Sequence, residues 1–155
     1  MTRAKVVGVD LSAQMLARNP LPSKALGSAY KLPFADKSFD LVFESNLFHH
    51  LEKPLDALNE MKRVSRRYVG VSEPNARFLP MYIFHALKKS ERGALPYCCR
   101  HLTDFYQRAD LHLVAVENAG WVTPNRTPQW MLRALLWIEQ KSSTGMFSMA
   151  LGEVK

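Results

Sequence analysis

The stretch "VVGVDLS", residues 6–12, ends a β-branched run on an acid and follows it with a serine suited to cap a helix. A carboxylate at the carboxyl tip of a buried strand can accept two hydrogen bonds from a sugar diol, and it can equally cap a helix. For Asp10, residue type and spacing leave both readings open. A histidine pair, His49 and His50, follows an apolar run in "FESNLFHHL". Imidazole exchanges its proton near neutral pH and so suits a general base, although packing ahead of the next helix competes with that role. Glu73 and Asn75 close another apolar run in "SEPN", either lining an acceptor pocket or capping a turn at Pro74. Cys98 and Cys99 are adjacent, so a mutual disulfide would be strained. The Cys-Cys-x-His order ending at His101 lacks the paired spacing of a zinc site, so buried thiols and no metal are expected.

These groups need elements to hold them. The run over residues 4–10 reads as a strand, and Ser12 caps a helix over 13–19 that Pro20 and Pro22 stop. A short strand is expected over 24–30, and "FDLVFES" reads as a strand covered on both faces. Pro54 opens a helix whose Leu55, Leu58, Met61 and Val64 fall on one side. A strand over 68–75 comes next, then a helix over 78–89 and another capped by Thr103. The pattern continues with a strand ending at Gly120, an amphipathic helix over 127–141 and a terminal strand over 146–154. Strands alternating with helices predict an α/β fold with a mostly parallel sheet.

Composition narrows the classes. The chain has 155 residues and 47% hydrophobic content, enough for a single domain over 1–155 with a real core. Its 21 Lys and Arg against 14 Asp and Glu give a formal charge of +7. The basic residues are scattered or cluster at expected helix ends, so they imply no specific nucleic-acid partner. No stretch reaches the roughly 18–20 apolar residues of a membrane span, and no signal-peptide layout opens the chain, so a cytoplasmic location is expected.

The segments "VGVDLSAQMLARN" and "GSAYKLPFADKSFDLVFESNLFHHL" resemble the class I S-adenosylmethionine-dependent methyltransferases, specifically the small-molecule group. The later "LDALNEMKRVSRRYVGVSEPN" resembles the next helix and the fifth strand of that family, and "ENAGW" the turn before its closing hairpin. The resemblance implies a Rossmann-like three-layer sandwich with an antiparallel C-terminal hairpin. It implies S-adenosylmethionine as cofactor, with Asp10 on the ribose and Leu11 on the adenine face. Ser28 stands where the family usually has an acid for the adenine amino group, with the Ala29 N–H on a ring nitrogen. Ser45 and Asn46 fall where the family lines the methionine end of the cofactor and the acceptor pocket. His49 and His50 are its candidate catalytic residues, and Glu73 and Asn75 its candidate contacts to a small organic or lipid-like acceptor.

One expected part is absent from the sequence. In such folds a glycine-rich turn precedes the ribose acid by roughly 20 residues, and only nine residues precede Asp10, with Gly8 inside the strand. The reading is therefore of a domain lacking its first strand and first helix. Free sheet edges would then invite a protein partner or self-association. Two functions fit: methyl transfer, impaired by the missing turn, or a non-catalytic methyltransferase-like binding or scaffold subunit.

Overall fold

The computed structural model describes residues 4–120 and 145–155. In chain order the elements are β1 (Val7–Asp10), α1 (Ala13–Arg18), β2 (Ser23–Leu26), β3 (Phe39–Ser45), α2 (Pro54–Val64), β4 (Ser65–Pro74), α3 (Leu79–Leu87), α4 (Cys99–Arg108), β5 (His112–Ala119) and β6 (Phe147–Glu153). Two 3-10 turns, Phe48–His50 and Lys89–Ala94, join them. The helix expected over 127–141, and Trp121 of "ENAGW", lie outside the described residues.

Strands β1 and β2 pair in parallel as one sheet. The other has the order β3-β4-β6-β5, in which β3 and β4 are parallel. Strand β6 runs antiparallel between β4 and β5, giving the expected C-terminal hairpin. Among the described residues each of β1 and β3 has one strand neighbour, so each keeps an unpaired edge.

The core lies on one face of the larger sheet. Helix α2 presents Ala57, Leu58, Met61 and Val64, a stripe at helical spacing, and α4 presents Leu102, Phe105 and Tyr106. Apart from Val64 they form one cluster with Val69 and Val71 of β4 and Ala150 of β6. Burying Leu58 fully stabilises by about 1.5–3 kcal/mol. The Tyr106 hydroxyl lies 3.1 Å from both the Val69 and Ala150 carbonyls, so its one proton is shared across the β4–β6 pair. Its ring fits because residue 152 is glycine: a Cβ there would stand 2.5 Å from the ring.

Three expectations change. Strand β3 is not covered on both faces: Val42 and Glu44 turn inward, while Leu41 and Phe43 are 52% and 53% exposed. Strand β2 stops at Leu26, where Gly27 leads into a turn closed by a Ser28–Lys31 bridge. Helix α4 begins at Cys99, so Thr103 lies inside it and its hydroxyl donates to the Cys99 carbonyl at 2.9 Å. A threonine offers that back-bond as readily as a cap, and sequence alone does not choose between them.

The loop over 27–38, which carries Ser28 and Ala29, is docked on α2. Arg63 donates to the carbonyls of Leu32 and Phe34 at 3.3 and 3.0 Å and pairs with Glu60 and Asp36. Glu60 in turn accepts the Leu32 N–H at 2.7 Å. The basic cluster after α2 is thus largely occupied, since Arg66 pairs with Asp40 and Arg67 with Glu153.

Candidate functional site

At the carboxyl ends of β1 and β2, Asp10 stands opposite Leu26 in register, and its main-chain carbonyl accepts the Gly27 N–H at 3.1 Å. The strand pairing therefore brings Asp10 to the turn that holds Ser28. Asp10 Oδ1 accepts the Ser12 N–H at 2.7 Å, and Ser12 Oγ accepts the Met15 N–H at 3.3 Å to cap α1. Among the described residues Oδ2 of Asp10 has no hydrogen bond, so capping uses one oxygen and leaves the other. Leu11 beside it is 75% exposed. Ser28 Oγ accepts the Tyr30 N–H at 3.2 Å, and Ala29 packs against the core.

A second group gathers at the carboxyl ends of β3 and β4. Ser45 pairs with Ser72, and Asn46 comes after it in a left-handed conformation, φ 56°, donating its N–H to the Ser72 carbonyl at 2.9 Å. Both side chains are exposed and bond to each other at 3.2 Å. Glu73 points inward and is fully buried. Its Oε1 accepts the N–H groups of Leu47 and Phe48 at 2.9 and 2.7 Å, and its Oε2 meets His49 Nδ1 at 2.5 Å. Glu73, with Glu44 Oε2 also accepting the Leu47 N–H at 3.1 Å, therefore folds the 47–49 segment over the end of the sheet. Asn75 is buried too, donating to the Gly145 carbonyl at 2.9 Å and accepting the Arg77 N–H at 3.0 Å. His49 is buried and His50 exposed, their rings 3.9 Å apart.

Charge in this group is strongly perturbed. Burial, and then the Glu73 carboxylate, push Glu44 up to about 9, so it keeps its proton at neutral pH. Burial alone would lower His49, but Glu73 and then Glu91 outweigh it and hold the imidazole above its ordinary value. Burial, followed by the nearby His49, lowers His85. Glu44, His85 and Glu91 escape a reading by motif. For Glu44 there was a signal: strict alternation along "FDLVFES" puts it on the same inward face as Val42. His85 and Glu91 lie in the segment after Pro80, and nothing near them in sequence announces their neighbours.

A methyltransferase-domain family model matches residues 1–68. Over 41 residues, 26% of this chain, the sequence is 51% identical to an uncharacterized methyltransferase of Schizosaccharomyces pombe, and the match spans 15% of that protein. Among solved structures, a SAM-dependent methyltransferase of Thermotoga maritima superposes with a TM-score of 0.69 at 21% identity, covering 96% of this chain and 72% of that one. A Haloferax volcanii methyltransferase, solved in complex with the Trm112 methyltransferase activator, gives 0.64 at 16% identity over 96% and 70%. The fold is that of the class I methyltransferases. Open α/β sheets bind ligands at the carboxyl ends of their strands. Both groups of residues described above lie on strand ends of that kind. No helix among the described residues is long and apolar enough to cross a membrane.

Proposed function

We propose that the chain binds S-adenosylmethionine at the ends of β1 and β2 and directs its methyl group to a small organic or lipid-like acceptor beyond β3 and β4. Asp10 carries this reading: Oδ1 is committed to Ser12 while Oδ2 is left for a ribose hydroxyl, a charge-assisted bond. Leu11, exposed beside it, suits the adenine face. Ser28 keeps a second lone pair for the adenine amino group, and the Ala29 N–H addresses the ring. Ser45 and Asn46 line the methionine end and the acceptor pocket. When bound, the cofactor supplies a methyl group on a positively charged sulfur, and its in-line displacement needs alignment more than a base. Both nitrogens of His49 face carboxylates, which supports a positioning role for it, with His50 at the exposed end of the pair. Buried Glu73 and Asn75 support the acceptor wall from behind.

The test is transfer of labelled methyl from S-adenosylmethionine to phenols, amines and quinones by the parent and by Asp10→Ala. Turnover that falls in the variant together with cofactor affinity supports the reading. Turnover and cofactor affinity that are both unchanged in the variant refute it. Among the described residues β1 and β3 each keep an unpaired edge, which favours a second reading, a non-catalytic subunit whose edges a protein partner covers. The Haloferax methyltransferase, solved in complex with an activator protein, is a precedent for a protein partner in general. Absence of turnover by the parent, with a partner bound at β1 or β3, would favour that alternative.

A further inference from the structure

The turn Phe48–His50 and the turn Lys89–Ala94 pack directly on each other, and three groups able to ligate a cation converge between them. Ligand atoms of His49, His50 and Glu91 all lie within 4.8 Å of one another. The protonation of His49 is set by its partners. A carboxylate only accepts, so the 2.5 Å contact with Glu73 Oε2 places a proton on Nδ1 and, in the neutral ring, a lone pair on Nε2. That lone pair faces Glu91 Oε2 at 3.4 Å, beyond a good hydrogen bond. Two electron-rich atoms facing each other at that distance are stabilised by a cation between them, either a second imidazole proton or a metal ion.

The spacing favours the metal. Bonds of about 2.0–2.1 Å to a tetrahedral zinc set ligand atoms roughly 3.3–3.4 Å apart. A third donor, His50, lies beside His49 with its ring tilted by 46° to it, and is exposed. Lys88 holds the other oxygen of Glu91 at 3.1 Å, leaving Oε2 turned to the imidazole. The Glu73 carboxylate behind His49 is the backing that fixes a metal-binding imidazole in its tautomer. His85 supplies an independent sign: it is 2% exposed, its ring centroid is 6.3 Å from that of His49, and neither of its nitrogens has a hydrogen-bond partner. A buried polar ring of this kind points to a polar group at the junction that the protein itself does not provide.

We propose that His49 Nε2, His50 and Glu91 Oε2 bind one divalent transition cation, Zn²⁺ or the similar Co²⁺ or Ni²⁺, which fastens the Lys89–Ala94 turn to the end of β3. Two imidazoles and one carboxylate suit these ions, whereas Mg²⁺ and Ca²⁺ take oxygen ligands. Water completes the coordination. The site shares His49 and His50 with the acceptor side of the methyl-transfer reading but none of the residues assigned to the cofactor, so its test reads metal binding and not turnover.

The test is a titration of the chelator-stripped 155-residue chain with ZnCl₂ by calorimetry and with CoCl₂ by visible absorption, using MgCl₂ as a control. One Zn²⁺ per chain, a rise in melting temperature with Zn²⁺, and Co²⁺ d–d bands of tetrahedral type are expected. His50→Ala and Glu91→Gln should each weaken Zn²⁺ binding by about tenfold or more. Both variants are to be checked for native circular dichroism, since His50, although exposed, also contacts the His49 ring. A Cys98→Ser, Cys99→Ser double variant should bind as the parent does. Lack of saturable Zn²⁺ binding overturns the proposal, as does binding indifferent to both His50→Ala and Glu91→Gln, or binding abolished only by the cysteine changes.

Discussion

At the scale of single residues, the end of β3 is governed by how burial sets protonation. Glu44 and Glu73 share one buried neighbourhood, where two ionised carboxylates would repel with little solvent to screen them. Glu44 resolves this by keeping its proton up to about 9. The folded state then holds a proton that the unfolded chain releases near the ordinary value of 4.5. Between those values the native state binds more protons than the unfolded one, so the stability supplied by this group is complete below 4.5 and falls as pH rises. Glu44→Gln keeps the shape without the proton equilibrium. Its melting temperature should exceed the parent's at pH 8, with the gap closing towards pH 4.5. A gap that stays the same across that range would show that Glu44 is not held neutral.

At the scale of elements, short turns are fixed by single close approaches. A Cβ on Gly93 would run into the backbone carbonyl oxygen of His49, so only glycine lets the Lys89–Ala94 turn lie against Phe48–His50. Gly93→Ala must push the two turns apart, and overpacking of that kind costs about 1–3 kcal/mol. Urea denaturation should show a lower midpoint with an unchanged slope; an unchanged midpoint would mean that the turns do not pack as described. The element order was largely legible in the sequence because prolines, capping serine and apolar period mark the boundaries. Pro54 and the stripe of α2 are one case, and the seven residues of β3 another. Two features were not legible. Thr103 is chemically suited both to a cap and to a mid-helix back-bond, and the exposure of Leu41 and Phe43 depends on what lies over that face of the sheet. The pairing of His49 with Glu73 spans 24 positions and with Glu91 more, a separation at which no local pattern carries information.

At the scale of the whole molecule, strand pairing sorts the candidate residues into two groups on strand ends. Asp10 and Ser28 share the end of one sheet, and Ser45, Asn46, Glu73 and Asn75 share the end of the other. The sequence order of strand, acid and capping serine pointed to the first group. The second group was found by motif but rearranged by packing, since Glu73 and Asn75 turn inward to hold backbone. The central claim is that Asp10 is the principal hold on S-adenosylmethionine. Its most direct test is calorimetric titration of the cofactor into the parent chain and into Asp10→Ala. A hydrogen bond to a charged group is worth about 1.5–3 kcal/mol, so the dissociation constant should rise by roughly 10- to 100-fold in the variant. A dissociation constant that does not change would contradict the claim.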